Sequence, residues 1–232
     1  MIIGGLQKFS LLDYPDHLSA IIFTQGCNLK CPFCYNPMLI VVPQKDHHLL
    51  INEDDLFVFL KKRSGKLDAV VITGGEPTIH KDLPDFIIKI KQLNFLIKLD
   101  TNGSNPEMVK KIIEKKLINY IAMDIKAPRD KYKKVAGRPV DFNKIKKSVK
   151  IIIESGLPYE FRTTVVPELL NKNDIEEIGK IIKGAGKWYL QQFKSNTDLV
   201  NRKMEKVKPY SAKELEEMRE IGRKYVKECK VR

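Results

Sequence analysis

The stretch Gln25-Gly26-Cys27-Asn28-Leu29-Lys30-Cys31-Pro32-Phe33-Cys34 holds three of the four cysteines in this 232-residue chain. It continues from an apolar, strand-forming run at residues 18–25, so the three thiols lie just past the end of a predicted strand. A CxxxCxxC spacing brings three thiolates together around one metal centre and leaves one coordination position open. Chemistry can take place at an open position. The stretch therefore predicts a strand followed by a reactive metal-binding loop.

On both sides of this loop, short β-rich runs alternate with segments of helical apolar spacing. Six strands alternating with helices predict an α/β fold with parallel strands and right-handed crossovers, either curled into a barrel or open. We expect one domain over residues 1–232, with an N-terminal extension at residues 1–17 and a C-terminal helix at residues 210–232. The strands are predicted at residues 18–25, 68–73, 95–100, 120–125, 159–166 and 188–193, and the helices at residues 53–63, 83–93, 106–117, 142–154, 174–183 and 211–228.

Polar residues follow the predicted strands at their carboxyl ends. Because the carboxyl ends of parallel strands face one common site, these segments should meet at one mouth. The segments are Cys27 to Cys34, Gly74-Gly75-Glu76-Pro77, Asp100-Thr101-Asn102-Gly103, Asp124-Ile125-Lys126, Arg162 with Thr163 and Thr164, and Gln191-Gln192.

The net charge of +13 raises the question of nucleic-acid binding. Most basic clusters fall on the polar sides of predicted helices, which favours solvated faces over a phosphate-binding track. The N-terminus has no basic region followed by a long apolar run, and no apolar run reaches the roughly 20 residues that span a bilayer. Four cysteines without a spaced, paired framework favour a reducing compartment, so we expect a cytoplasmic protein without a membrane segment.

The cysteine triad has two less reactive interpretations. A disulfide between Cys31 and Cys34 would leave Cys27 unpaired, and a reducing compartment disfavours it. A structural zinc ion needs a fourth ligand, and no candidate stands at a familiar zinc spacing from the triad. The candidates are His17, His47, His48 and Cys229, of which Cys229 continues the apolar stripe of the predicted last helix and is expected in the core. An iron–sulfur cluster with one open iron fits the triad better.

The triad resembles the CxxxCxΦC signature of the radical S-adenosylmethionine (SAM) enzymes, in which Φ is aromatic and corresponds to Phe33. Its occurrence together with Gly74-Gly75-Glu76-Pro77 after the second strand makes the resemblance specific. The fold that it implies is a partial (β/α)6 barrel. It also implies a [4Fe-4S] cluster held by Cys27, Cys31 and Cys34, with SAM chelating the fourth iron.

The resemblance implies further roles around SAM. Backbone at Gly74 and Gly75 would approach the ligand, and Glu76 would help to hold the methionine ammonium. Asp100 and Asn102 would bind the ribose or methionine part, although Asn102-Gly103 alone would signal only a turn. Lys126 would meet the SAM carboxylate beside Asp124, with a surface ion pair as the competing interpretation. Arg162 is a further cofactor-binding candidate.

Over nearly the whole chain the sequence is similar to the activating proteins of glycyl-radical enzymes, in particular those of anaerobic ribonucleoside-triphosphate reductase and pyruvate formate-lyase. This implies a 5′-deoxyadenosyl radical that takes hydrogen from a glycine of a partner enzyme. The partner's loop would pass Arg162, Gln191 and Gln192, and an external donor such as flavodoxin or ferredoxin would supply the electron. Asp16 departs from the family, which usually has glycine there.

Two other classes stay open at the level of sequence. A radical SAM enzyme acting on a small molecule or nucleotide, like 7-carboxy-7-deazaguanine synthase, would keep the first five of these motifs and differ at the substrate end. A non-enzymatic metal-binding nucleic-acid module would use the positive charge instead. The motif Gly74, Gly75 and Glu76 has no function in a module of that kind.

Overall fold

The computed structural model describes residues 1–41 and 50–232, so His47 and His48 lie outside the described residues. In the described residues the predicted alternation appears as strands β1 to β8 and helices α1 to α7. The strands are β1 Ile3–Ser10, β2 Ser19–Thr24, β3 Ala69–Gly74, β4 Leu96–Thr101, β5 Tyr120–Asp124, β6 Tyr159–Val165, β7 Lys187–Gln192 and β8 Glu228–Val231. The helices are α1 Glu53–Arg63, α2 Leu83–Lys91, α3 Pro106–Glu114, α4 Tyr132–Ala136, α5 Phe142–Glu154, α6 Lys172–Ile181 and α7 Ala212–Gly222.

The chain groups into two compact units that interleave in sequence. Unit 1 comprises Met1–Asn28, Met38–Thr101 and Glu107–Ile121. Unit 2 comprises Leu29–Pro37, Asn102–Pro106 and Ala122–Arg232. The predicted single domain over residues 1–232 stays a prediction.

Unit 1 is built on strands β1 to β4. β1 pairs antiparallel with β2, whereas β2 with β3 and β3 with β4 are parallel. Val70, Val71 and Ile72 in β3 are fully buried, which is typical of a parallel strand covered on both faces. Helix α1 begins where the sequence predicts, with the Asn52 side chain accepting the Asp54 N–H at 2.8 Å.

Unit 2 contains the parallel strands β6, β7 and β8. Trp188 in β7 is fully buried, and its indole N–H donates to Thr163 Oγ1 at 3.1 Å. The Thr163 hydroxyl donates in turn to the Ile125 carbonyl at 2.8 Å. This chain of hydrogen bonds satisfies polar groups inside the unit. The predicted capping box at Ser211 and Glu214 opens α7.

Both ends of the chain differ from the prediction. The predicted N-terminal extension contains β1, and the last helix ends at Gly222 instead of continuing to residue 228. Cys229 therefore lies on β8 and not on a helix, although its predicted burial is confirmed. A Cβ on Gly222 would come within 2.6 Å of the Cys229 sulfur, so the glycine that ends α7 makes room for the new strand.

Asp16 adopts φ = 63° in the turn before β2. This left-handed conformation favours glycine because a Cβ is crowded there. Asp16 therefore occupies a conformation that glycine would adopt at a lower cost in free energy. Among the described residues, no helix has both the length and the apolar character needed to cross a membrane.

Candidate active site

The cysteine loop leaves β2 through Gly26 and Cys27, both in unit 1. The Gly26 N–H donates to the Leu39 carbonyl at 2.7 Å, and the Cys27 N–H donates to the Ile40 carbonyl at 3.1 Å. The Gln25 side-chain amide reaches across to the Met38 carbonyl at 2.8 Å. Backbone bonds from the far end of the loop therefore fix the direction in which Cys27 leaves the strand.

The Gly74-Gly75 turn is packed against the start of the cysteine loop. A Cβ on Gly75 would lie 1.9 Å from the Gly26 carbonyl oxygen, and one on Gly74 would lie 2.3 Å from the Thr24 nitrogen. Gly74 also has φ = 114°. The Gly75 N–H donates to the Thr24 carbonyl at 2.9 Å. The protein's own backbone thus requires both glycines, while their predicted approach to a ligand stays a prediction.

Glu76 is 1% exposed, and hydrogen bonds tie it to two segments of unit 1. Its Oε1 accepts from the Thr78 N–H at 3.1 Å, from the Thr78 hydroxyl at 2.5 Å and from the Thr101 hydroxyl at 2.7 Å. The Glu76 N–H donates to the Gly26 carbonyl at 2.8 Å. A carboxylate buried with this many donors has a fixed position, which suits an acceptor for an ammonium group.

The end of β4 carries the predicted polar pair. Asp100 is buried and lies 2.9 Å from the ammonium of Lys98, which itself is 2% exposed. Asn102 belongs to unit 2, where its Oδ1 accepts the Ser104 N–H at 2.9 Å and closes a turn at Gly103. The structure therefore gives Asn102 the turn role that its sequence allowed, and the roles of both residues toward SAM stay predictions.

In unit 2 the cysteine loop continues through Cys31 and Cys34. Cys31 is buried and Cys34 is half-buried, and the Cys34 N–H donates to the Cys31 carbonyl at 3.1 Å. The Asn36 N–H points to the Cys34 sulfur at 3.5 Å. Burial raises the pKa of the Cys31 thiol, and the nearby Lys126 ammonium acts in the opposite direction.

Three charged residues predicted at the site form one ion-pair cluster in unit 2. Lys126 Nζ lies 2.8 Å from Asp124 Oδ2, and Arg162 Nε lies 2.8 Å from Asp124 Oδ1. All three side chains are half-buried, so the competing ion pair between Lys126 and Asp124 is present in the structure, and the role of Lys126 toward SAM stays a prediction. Lys126 Nζ also stands 6.0 Å from the centre of the Phe33 ring. Arg162 is thus bound to Asp124, and the cluster lies beside the cysteine loop.

The charges in this cluster hold each other in the ionised state. Burial opposes ionisation of Asp124, but Arg162 and Lys126 hold its pKa well below the usual range. Burial likewise disfavours the Lys126 ammonium, but Asp124 and Cys31 raise the pKa of Lys126 above its usual value. The site therefore presents a permanent cation next to the thiols, as an anionic ligand would require.

Two features of the site had not been predicted from the sequence. Lys98 donates to the Asp13 carbonyl at 2.7 Å in addition to pairing with Asp100. The sequence does contain an indication of this pairing, because residues two apart on a strand, such as Lys98 and Asp100, lie on the same face. The second feature is Tyr35, whose hydroxyl accepts the Lys194 N–H at 2.9 Å, just beyond β7. No local sequence pattern indicates that contact.

Gln192, which was predicted to line the entrance for the partner's loop, donates from its side-chain amide to the Tyr210 carbonyl at 3.0 Å.

The donor set suits an iron–sulfur cluster. Three cysteine thiolates can hold such a cluster, and a hydrogen bond to one sulfur and a nearby cation would shift its reduction potential. Cys27 belongs to unit 1, whereas Cys31 and Cys34 belong to unit 2. In the described ranges, no group of three or more His, Cys, Asp or Glu side chains is placed so that it could hold a metal ion. Ligation of one cluster by all three cysteines stays a prediction.

Comparison with known proteins gives the family. The Radical SAM superfamily description matches residues 21–183. A Methanocaldococcus jannaschii protein, provisionally named a glycyl-radical enzyme activating enzyme, is 35% identical over 238 aligned residues, covering 100% of this chain and 95% of the relative. A Saccharolobus solfataricus protein, provisionally named GTP 3′,8-cyclase, is 32% identical over 170 residues, covering 70% of this chain and 51% of the relative.

A solved structure supports the fold. Streptococcus suis SuiB bound to S-adenosylmethionine superposes with a TM-score of 0.64 at 19% identity, covering 90% of this chain and 48% of SuiB. This likeness confirms the predicted α/β fold with parallel strands. Enzymes of the matched superfamily use a [4Fe-4S] cluster and SAM, and the described cysteines and charges fit both. The chain is therefore an enzyme that belongs to the radical SAM superfamily.

Proposed function

We propose that this enzyme creates a glycyl radical in a partner protein, and that the partner is anaerobic ribonucleoside-triphosphate reductase. The observation that carries the proposal is the similarity to a relative provisionally named a glycyl-radical enzyme activating enzyme, which extends over the whole chain. The thiols need a reducing, oxygen-free cytoplasm, which is the compartment that we propose.

The residues of the site have separate tasks in this proposal. Cys27, Cys31 and Cys34 would bind the cluster, which, given one electron from an external donor, would supply from SAM methionine and a 5′-deoxyadenosyl radical for removal of hydrogen from a glycine Cα. Lys126, ionised at every physiological pH, meets the SAM carboxylate. Arg162 is a positioning residue, because it binds the second oxygen of Asp124 and so fixes the carboxylate that orients Lys126.

Glu76 receives the methionine ammonium in the same scheme. Its position is set by Thr78 and Thr101, so the carboxylate needs no rearrangement when the ligand arrives. In this proposal Asp100 and Asn102 bind the ribose or the methionine part of SAM.

The test is anaerobic reconstitution with iron and sulfide, followed by dithionite and SAM. Release of 5′-deoxyadenosine is expected from the wild type and not from the Cys31→Ser variant, whereas Cys229→Ser on β8 keeps the activity. Adding the anaerobic reductase of the same organism should then produce a glycyl radical signal by electron paramagnetic resonance. Release of 5′-deoxyadenosine without that signal would contradict the proposed partner.

A second candidate is a radical SAM enzyme that acts on a nucleotide. The relative provisionally named GTP 3′,8-cyclase favours it, although this chain spans about half the length of that relative. The two candidates differ in the product. Incubation with GTP, SAM and dithionite should leave GTP unchanged if the activating role is right, and chromatography with mass spectrometry would detect any cyclised nucleotide.

A further inference from the structure

An open groove in unit 2 is built directly on the cysteine loop. Its volume is about 460 Å³, and we call it the loop groove. Lys30 and Pro32, the two neighbours of Cys31, form one wall. Consecutive Cα atoms are about 3.8 Å apart, so this wall of the groove lies within one residue of the predicted cluster ligand Cys31. The residues used below are Lys30, Pro32, Lys134, Leu169, Arg202 and Met204.

The walls of the loop groove are joined to the cysteine loop through the backbone. The Lys30 N–H donates to the Ala136 carbonyl at 2.9 Å, and the Asn201 N–H donates to the Pro32 carbonyl at 2.9 Å. Gly137 lies so close to the loop that a Cβ there would be 1.9 Å from the Lys30 oxygen. The groove therefore has a fixed shape around Cys31, which is what a docking site for electron transfer requires.

The chemistry of the loop groove defines its partner. Lys30, Lys134 and Arg202 are exposed cations, and Leu169 and Met204 form a buried apolar floor beneath them. In the described part of the chain, no acidic side chain lines this groove. Cations around an apolar centre suit a protein whose contact surface is acidic, because opposite potentials steer association and fix the orientation.

We propose that the loop groove docks an acidic ferredoxin, which delivers the electron that the enzyme consumes. The proposal rests on the proposed function only in requiring an electron from outside the chain. In each encounter the reduced ferredoxin loses one electron and the cluster bound by the cysteine loop gains it. No bond forms or breaks and no proton moves. The glycyl-radical partner and a flavodoxin are alternative occupants that the test separates.

The experiment uses the reconstituted full chain and an acidic two-[4Fe-4S] ferredoxin under anaerobic conditions. The double variant Lys134→Glu/Arg202→Glu reverses two groove charges. The matched control, Lys133→Glu/Lys203→Glu, makes the same charge change one residue away, at exposed lysines that do not line the groove. The dissociation constant is measured by calorimetry at 0.15 M salt, where the Debye length is about 8 Å. Formation of 5′-deoxyadenosine is measured with dithionite and, separately, with reduced ferredoxin.

We expect the groove variant to bind ferredoxin at least tenfold more weakly than the wild type, and the control to change by less than threefold. Turnover with ferredoxin should fall in parallel, while turnover with dithionite stays within twofold for both variants. The proposal is overturned if both variants weaken equally, if the wild type neither binds nor uses ferredoxin, or if only flavodoxin or the glycyl-radical protein responds to the groove charges. Failure of the wild type with dithionite would instead contradict the proposed function, and the binding measurement would still decide the docking site.

Discussion

Substitution of Gly75 by alanine tests the contact between the Gly-Gly-Glu-Pro turn and the cysteine loop. The added Cβ would lie 1.9 Å from the Gly26 oxygen, whereas ordinary contact begins near 3.4 Å. The two backbone segments must then separate by 1.5 Å (3.4 − 1.9). The 2.8 Å bond from the Glu76 N–H to the Gly26 oxygen cannot survive such a shift, and the bond from Gly75 to Thr24 is strained with it.

The free-energy cost follows from these two effects. Overpacking against backbone costs about 1–3 kcal/mol. Losing one backbone hydrogen bond and straining a second costs about 1–3 kcal/mol together. The total of about 2–6 kcal/mol is a large part of the roughly 5–15 kcal/mol that stabilises a typical domain. The shift also moves Cys27, the neighbour of Gly26, so the variant should take up less iron on reconstitution.

Urea unfolding of the apoprotein measures the loss of stability, and iron analysis after reconstitution measures the loss of iron uptake. Gly5→Ala is the matched control, because a Cβ there meets only Phe23 at 3.5 Å and Gly5 has no positive φ. Its unfolding midpoint should stay close to that of the wild type. If Gly75→Ala unfolds at the same urea concentration as Gly5→Ala and binds the same amount of iron, the packing argument is refuted.

Three further predictions use other parts of the structure. Lys126→Met should raise the dissociation constant for SAM more than tenfold by equilibrium dialysis, whereas Lys131→Met, which removes an ion pair elsewhere in unit 2, should leave it within twofold. Asp16→Gly should stabilise the fold by about 0.5 kcal/mol and Lys116→Gly by about 1 kcal/mol in urea unfolding, because both residues have positive φ and lysine tolerates it less well; unchanged or lower midpoints would contradict this. Burial raises the pKa of Cys229 to about 12, so at pH 8 only about 1 in 10⁴ of these thiols is ionised, and mass spectrometry after iodoacetamide treatment should find Cys229 unlabelled in the folded apoprotein but labelled in urea.

The six strands predicted from apolar runs all exist, and each end lies within one residue of its prediction. Buried parallel strands are continuous runs of β-branched residues, such as Val70 to Ile72, and that signal is local. β1 and β8 were not predicted for physical reasons. β1 contains Gly4 and Gly5 and exposes several side chains, and β8 has only four residues of mixed polarity. Both are defined by pairing with distant segments, which a local pattern does not contain.

The sequence predicted which residues form the site, but not which of them form hydrogen bonds and ion pairs with one another. The sequence placed Asp124, Lys126 and Arg162 at neighbouring strand ends, because a strand's carboxyl end is a local property. It did not reveal that Asp124 accepts from both cations, since this depends on rotamers and on the spacing of β5 and β6. The burial of Lys98 was not predicted either, because the sequence does not indicate which face of β4 is covered.

The joint occurrence of the cysteine motif and the Gly74-Gly75-Glu76-Pro77 motif also has a physical cause in unit 1. The Gly26 oxygen accepts the Glu76 N–H, and the space beside it admits only a glycine at position 75. Glu76 in turn is held by Thr101 at the end of β4. The Gly26 carbonyl thus connects the exit of β2 with the turn after β3, and the Glu76 side chain extends this connection to the end of β4. Because a change in the glycine turn must displace the loop that carries Cys27, each motif constrains the other through the protein itself, before any ligand is bound. The pair of motifs is therefore more diagnostic than either motif alone.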